Sequence, residues 1–99
     1  MAEVTTGAEA SLTTPLQAMN RALREALAED ETVFVMGEDI QAGTFGMTQG
    51  LFEQFGEARV RNTPISEGAI VGAAVGAAMC GMRPVVDLSI ATFTYVALD

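Results

Sequence analysis

The stretch that most narrows the folds open to this chain is residues 68–82, which carry only small or apolar side chains and no charge. Glu67 stands directly before it, Ser66 can cap a helix there, and Gly81 can end one. The stretch is shorter than the about 20 residues that a membrane-spanning helix needs. It therefore predicts a core helix from Glu67 to about Cys80, buried inside a folded domain.

Helix and strand signals alternate along the rest of the chain. Thr14 and Gln17 match a capping box, which begins an amphipathic helix that runs to about Glu29. The continuous apolar run 33–36 predicts a strand buried on both faces, as in a parallel sheet. Further signals predict a short helix over 51–55, a brief strand over 59–62, a strand over 84–90 and a helix start within 91–99. This order of elements predicts an α/β fold.

Length and composition limit the class of protein. The 99 residues suit one small domain or part of a larger one, which would be formed by residues 14–99, and residues 1–13, rich in Thr, Ala and Glu, are predicted to be a flexible tail. The net charge of −8, from 13 acidic and 5 basic residues, argues against partners such as nucleic acid or an anionic membrane, which attract Lys and Arg. The chain has no His for acid–base work, and we predict no metal site. Cys80 is the only cysteine, so no internal disulfide can form and a cytoplasmic location is favoured.

Glu67 is the one charge at the head of the uncharged helix, and it has two interpretations. A carboxylate at a helix N-terminus is stabilised by the macrodipole by about 0.3–1 kcal/mol, which makes it a helix-end device. The alternative is a functional carboxylate that hydrogen-bonds a ligand nitrogen in a dry pocket. The spacing alone leaves both open.

Three glycines share one face of the same helix, because Gly68, Gly72 and Gly76 lie four residues apart. Each costs about 1 kcal/mol in a helix interior, so another backbone is expected to approach this face closely. That backbone could belong to the same domain or to another subunit, and the residues do not distinguish the two.

Glu38 and Asp39 directly follow the predicted buried strand at 33–36. Ligands of open α/β sheets gather at the carboxyl ends of strands, which makes Glu38 a candidate ligand-binding residue. A plain pair of turn carboxylates is the alternative. The glycines at 43, 46 and 50 match neither a dinucleotide fingerprint nor a P-loop.

Several segments in order carry a family resemblance. They are VFVMGED at 33–39, FGMTQGL at 45–51, TPISE at 63–67 with the Gly/Ala helix behind it, and GMRPV at 81–85. Together they resemble the beta subunit of thiamine-diphosphate-dependent 2-oxo acid dehydrogenases, the pyruvate, branched-chain and acetoin enzymes. The resemblance spans residues 15–99 and covers the start of that subunit's transketolase-like pyrimidine-binding domain. It implies a partial, truncated three-layer domain with a parallel sheet.

The resemblance also implies roles for single residues. Glu67 matches the catalytic glutamate, which hydrogen-bonds the aminopyrimidine ring of thiamine diphosphate and promotes the imino tautomer that takes the thiazolium proton. Glu38 matches an acidic residue near that ring, Ile65 an apolar residue packed against it, and Phe93 an aromatic residue stacked on it. Residues 90–92 are Ile-Ala-Thr, where the family usually has Phe-Ala-Asp. The family's catalytic His has no counterpart here.

The resemblance implies partners as well. In this family the diphosphate and its Mg²⁺ are bound by a Gly-Asp-Gly motif on an alpha subunit, and no such motif occurs in this chain. The expected assembly is a heterotetramer with a second beta subunit, attached to the acyltransferase core of a multienzyme complex.

The function expected from the resemblance is oxidative decarboxylation of a 2-oxo acid such as pyruvate, by the complex and not by this fragment alone. One alternative is a non-catalytic interaction fragment that docks on alpha or beta subunits through the glycine face. Another is part of a split transketolase or of a deoxyxylulose-phosphate synthase.

Overall fold

Helices and strands alternate along the chain in the computed structural model, which describes residues 14–98. The elements are α1 (Pro15–Glu29), β1 (Val33–Gly37), α2 (Leu51–Phe55), β2 (Val60–Asn62), α3 (Glu67–Met79), β3 (Arg83–Asp87), a 3₁₀ turn (Ala91–Phe93) and α4 (Thr94–Ala97). The predicted α/β order is confirmed. The predicted flexible tail, residues 1–13, lies outside the described residues.

A three-stranded parallel sheet forms the centre of the fold, in the order β2–β1–β3. Successive side chains of β1 point to opposite faces of this sheet. Val33 and Val35 pack with the buried Leu27 of α1 and Leu51 of α2 on one face. On the other face, Phe34 and Met36, two residues apart in β1, border a cavity beneath α3. The sheet therefore lies between two helical layers, as the predicted three-layer arrangement requires.

The start of α1 is closed by the predicted capping box. The backbone N–H of Gln17 donates to the Thr14 hydroxyl at 3.1 Å, and the backbone N–H of Thr14 donates to the Gln17 side chain at 3.0 Å. Pro15 occupies the first turn, where its missing N–H costs nothing. The local signal was sufficient here because all the partners lie within one turn.

Arg59 joins α1 to the beginning of β1. Its guanidinium donates to the backbone carbonyls of Leu27 at 2.7 Å, Asp30 at 2.9 Å and Val33 at 2.8 Å. The same group stands 5.8 Å from the centre of the Phe55 ring, within range of a cation–π interaction. Arg59 therefore donates to carbonyl groups at the end of α1 and at the start of β1, in addition to the Val33 backbone N–H that reaches the Asp30 carbonyl at 3.2 Å.

Asp30, directly after α1, is a second polar anchor. Its carboxylate accepts from the Thr32 hydroxyl at 2.6 Å and from the Thr32 backbone N–H at 2.9 Å. These two bonds, with a smaller effect of the Arg83 guanidinium 3.6 Å away, hold the pKa of Asp30 below its ordinary value.

The prediction that α3 is a buried core helix is wrong for the described part of the chain. Ile70 is its one buried residue there, whereas Met79 is 83% exposed. Cys80, at the end of the predicted core helix, is exposed, and so is Met82. A helix that is apolar on all sides needs cover on all sides, and within residues 14–98 only the sheet side of α3 and its contact with α4 provide it.

Two boundary predictions also need correction. Ser66 precedes α3, but its side chain makes no capping hydrogen bond. The third strand ends at Asp87 instead of Ile90, because Ser89 adopts a left-handed conformation with φ of 70° and its backbone N–H bonds the Asp87 side chain at 2.8 Å. Within residues 14–98, no helix combines the length and the apolar character that crossing a membrane requires.

Candidate functional site

The three strands end level with one another at their carboxyl ends, and we refer to this end of the sheet as the sheet edge. Gly37, the last residue of β1, pairs with Asn62, the last of β2, and with Asp87, the last of β3. The segments that follow these strands therefore leave the sheet side by side. Ligands of parallel α/β sheets bind at this kind of edge.

All four predicted ligand-binding residues lie on these segments. Glu38 directly follows β1, Ile65 and Glu67 lie between the end of β2 and the first turn of α3, and Phe93 lies in the turn after β3. Residues far apart in the sequence thus gather at one edge of the sheet, because all three strands run in the same direction.

A cavity of about 190 Å³ opens between the segments after β1 and β3. Its lining is Glu38, Asp39, Thr44, Phe45, Ser89, Ile90 and Phe93. The structure therefore brings together two of the predicted site residues, Glu38 and Phe93. The lining combines two carboxylates with two aromatic rings and contains no Lys or Arg.

A second cavity of about 210 Å³ lies on the α3 side of the same edge. It is lined by Met36, Thr63, Pro64, Ser66, Ala69, Ile70 and Ala73. The Thr63 hydroxyl oxygen is buried and has no hydrogen-bond partner among the described residues. This cavity is mostly apolar, and Thr63 and Ser66 provide its polar side chains.

Glu67 and Ile65 are in neither of these two linings. Glu67 is half-buried in the first turn of α3, and the Ile65 side chain is 74% exposed. The structure therefore places these two predicted residues on the neighbouring segment, beside Glu38 and Phe93 along the sheet edge but outside their cavity.

Gly37 marks a point where two strand ends come very close. A side chain at this position would overlap the Asp87 carbonyl oxygen and reach 3.0 Å from the Ile40 side chain. Only hydrogen in place of a side chain allows β1 and β3 to end together there. Steric contacts at the sheet edge therefore require glycine at position 37, directly before Glu38.

The segment after Glu38 turns back at once and is anchored in the core. Asp39 adopts a left-handed conformation with φ of 54°, and Ile40 is buried. Thr48, also buried, donates its hydroxyl to the Ile40 carbonyl at 3.0 Å. Gly43 has φ of +69° and lies so close to Gln49 that a Cβ would come within 2.6 Å of its Cα.

Side-chain hydrogen bonds to other elements hold both ends of this segment. Near its start, the backbone N–H of Gln41 donates to the Asn62 side chain at 2.9 Å, and the Gln41 side-chain amide donates to the Val60 carbonyl at 3.0 Å. Near its end, Asn20 donates to the carbonyls of Met47 at 2.8 Å and Gln49 at 2.9 Å.

Sequence analysis did not identify these holding residues. Asn and Gln are common at turns, and the partners of Gln41 lie 19 and 21 residues away in the chain. No local pattern signals such a pair. The capping box at Thr14, with partners three residues apart, was visible for the opposite reason.

The glycine face of α3 is open. At Gly68, Gly72 and Gly76 an added Cβ would meet nothing within 4 Å. The sequence left two partners open for this face, the same domain or another subunit. Packing against the described part of the same chain is therefore excluded. Contact with another subunit stays a prediction.

Comparison with known proteins gives a family match and a set of relatives. Residues 13–99 match the transketolase pyrimidine-binding domain family. The chain is 46% identical over 86 residues to the 2-oxoisovalerate dehydrogenase subunit beta of Bacillus subtilis, covering 85% of this chain and 26% of that protein. It is 47% identical over 88 residues to the 3-methyl-2-oxobutanoate dehydrogenase subunit beta of Mycobacterium tuberculosis, covering 87% and 25%.

A third relative carries another substrate in its name. The pyruvate dehydrogenase E1 component subunit beta of Rickettsia bellii is 45% identical over 85 residues, covering 84% of this chain and 26% of that protein. The chain thus spans about a quarter of the length of these relatives. The resemblance seen in the sequence motifs is confirmed.

Proposed function

Because the chain belongs to the transketolase pyrimidine-binding domain family, we propose that it supplies the pyrimidine side of a thiamine diphosphate site in a 2-oxo acid dehydrogenase. One observation carries this proposal: three parallel strands end level, and the segments after them hold Glu38, Glu67 and Phe93 at one sheet edge. The names of the relatives, all dehydrogenase beta subunits, support the reaction class over the transketolase and deoxyxylulose-phosphate synthase alternatives.

The residues at this edge fit the ring part of the cofactor. Carboxylates accept hydrogen bonds from ring nitrogens, and the rings of Phe45 and Phe93 in the 190 Å³ cavity offer apolar faces for an aromatic ligand. Their chemistry does not fit the diphosphate. The same lining carries Glu38 and Asp39, which repel an anion, and no cluster of three metal-ligating side chains occurs within residues 14–98.

Because the residues at this edge fit the pyrimidine ring but not the diphosphate, they support a site that is shared between two subunits. The diphosphate and its Mg²⁺ would be held by an alpha subunit, while this chain holds the pyrimidine ring. Glu67 would hold a proton at a ring nitrogen, Glu38 and Ile65 would lie against the ring, and Phe93 would stack on it. When bound, thiamine diphosphate supplies the electron sink for decarboxylation.

The wider assembly follows from the same proposal. The substrate class is a 2-oxo acid such as pyruvate, and the reaction is its oxidative decarboxylation. The chain would act in a heterotetramer with an alpha subunit and a second beta subunit, attached to an acyltransferase core. We propose a cytoplasmic location, which the single cysteine supports because reduced thiols are usual there.

Calorimetric titration tests whether the site is shared. With Mg²⁺ present, we expect the complete beta subunit alone to bind thiamine diphosphate with a dissociation constant above about 10 μM, which corresponds to a binding free energy of roughly −7 kcal/mol. Adding the alpha subunit should tighten binding by at least about tenfold. A dissociation constant below about 10 μM without the alpha subunit would contradict the shared site. Failure of the assembled complex to bind thiamine diphosphate would overturn the proposed function.

The open glycine face provides a test of assembly. We expect Gly72→Leu in the complete subunit to leave the subunit folded, since Leu has room there and forms helix better than Gly by roughly 1 kcal/mol. Assembly should be impaired, because a large side chain holds a facing backbone away at a cost of about 1–3 kcal/mol.

Size-exclusion chromatography with the alpha subunit measures this effect. Ala28→Leu, on an exposed position of α1, is the matched control for an added apolar side chain. Normal assembly of the Gly72→Leu variant would place the subunit contact on another surface.

A further inference from the structure

We infer that Gln41 and Asn62 are positioning residues that hold the Glu38 segment against the Glu67 segment, an inference that rests on the proposed function. Asn62 accepts from the Gln41 backbone N–H at 2.9 Å and donates its side-chain amide to the Gln41 side-chain oxygen at 3.3 Å. The Gln41 side-chain amide also donates to the Val60 carbonyl at 3.0 Å. We refer to these contacts as the Gln41–Asn62 clasp.

The clasp lies where the two segments leave the sheet. Asn62 is the last residue of β2, and the segment that follows it leads to Glu67 at the start of α3. Gln41 lies just beyond Glu38 and the left-handed turn at Asp39. The clasp therefore connects the segment that carries one site carboxylate to the strand end that leads to the other.

The clasp continues the sheet beyond its last regular hydrogen bond. The register of β1 and β2 ends at the Gly37–Asn62 pair, and the backbone N–H of Thr63 donates to the Gly37 carbonyl at 2.9 Å. Besides the packing of the buried Ile40 in the core, the clasp supplies the hydrogen bonds that attach the Glu38 segment to the β2 side. The Gln41–Asn62 contacts thus limit the relative movement of the two segments on which the cofactor ring is proposed to rest.

If the clasp served only to stabilise the loop, loss of Asn62 and loss of Asn20 would have the same effect on cofactor binding. The core anchors of this loop are the buried Ile40 and Thr48, whereas Asn62 is exposed and Gln41 half-buried. Asn20 provides a matched comparison, because its side chain holds the far end of the same loop through two backbone carbonyls. Loss of either Asn should loosen the loop, but only loss of Asn62 should disturb the spacing of the two site segments.

The test uses the complete subunit assembled with its alpha subunit. Asn62→Leu removes both side-chain contacts, Asn62→Asp keeps the acceptor for the Gln41 N–H, and Asn20→Leu is the control. A fourth variant, Gln41→Ala, removes only the side-chain contacts of Gln41. The readouts are amide hydrogen exchange over residues 38–46 without cofactor, calorimetric binding of thiamine diphosphate, and thermal melting.

We expect Asn62→Leu to raise exchange at the Gln41 amide and to weaken cofactor binding about tenfold, which corresponds to about 1.4 kcal/mol. Asn62→Asp should stay within about threefold of wild type, because it keeps an acceptor for the Gln41 N–H and leaves the bond from Gln41 to the Val60 carbonyl in place. Gln41→Ala should weaken binding by an intermediate factor. Asn20→Leu should lower the melting temperature as much as Asn62→Leu, yet leave cofactor affinity within about threefold of wild type, a difference of under about 0.7 kcal/mol.

Two results would overturn the inference while leaving the proposed function in place. One is wild-type affinity in Asn62→Leu, and the other is an equal loss of affinity in Asn20→Leu. A wild-type complex that fails to bind thiamine diphosphate would overturn the proposed function, and the positioning role with it.

Discussion

Glu67→Gln, made in the complete subunit assembled with its alpha subunit, should leave the fold intact and lower the rate of decarboxylation by about 10²–10⁴-fold. Gln has the size of Glu and can still meet a ring nitrogen, but it cannot hold or release a proton as a carboxylate does. Glu67 is half-buried in the first turn of α3, and it follows the strand end at Asn62. Loss of a helix-end charge alone would cost at most about 1 kcal/mol of stability and no turnover.

Two measurements separate these interpretations. The first is steady-state decarboxylation, and the second is hydrogen–deuterium exchange at the reactive thiazolium carbon of the bound cofactor, which should slow in parallel because Glu67 acts before substrate arrives. Glu53→Gln is the matched control, since Glu53 is the acidic residue in the first turn of α2. If exchange and turnover in Glu67→Gln both stay within about fivefold of wild type, or about 1 kcal/mol, Glu67 serves only as a helix-end charge.

Arg59→Met should lower the free energy of unfolding of the complete subunit by about 3 kcal/mol or more. Hydrogen bonds to a charged group contribute about 1.5–3 kcal/mol each, and carbonyls left without a donor add a desolvation cost. Arg59 donates to the carbonyls of Leu27, Asp30 and Val33. Met fills much of the same space but offers these carbonyls no donor.

Urea denaturation followed by circular dichroism measures this change. Arg61→Met is the control, because Arg61 is exposed and donates to one carbonyl, that of Ala58, at 3.2 Å. The control should lose less than about 0.5 kcal/mol, as is usual for surface substitutions. An equal loss in the two variants would mean that the Arg59 contacts contribute little to the stability of this fold.

Local patterns were enough to predict the order of the elements. Thr14 and Gln17 begin α1, and the apolar run in β1 is buried on both faces, because capping and strand burial depend on neighbours in the sequence. The order of helices and strands predicted an α/β fold, and the apolar run before Glu38 predicted that this residue follows a strand of a parallel sheet. The motifs themselves predicted the family.

Contacts between distant residues could not be predicted in this way. Arg59 and the carbonyl of Leu27 are 32 residues apart, and Gln41 and Asn62 are 21 apart. Asn, Gln and Arg occur at so many positions that their type does not reveal a partner. Only the fold, which brings β2 beside β1 and the end of α1 beside both, makes these polar side chains meet.

The sequence by itself determined the order of helices and strands and the position of Glu38 directly after a strand, because these depend on backbone preferences and on the spacing of apolar residues. The tertiary structure decided which of these groups share a cavity and which surfaces are covered. Glu38 and Phe93 line one cavity, whereas α3, apolar on all sides, is covered by the described residues only in part. Hydrophobic periodicity records that a side chain is apolar, but burial depends on what packs against it.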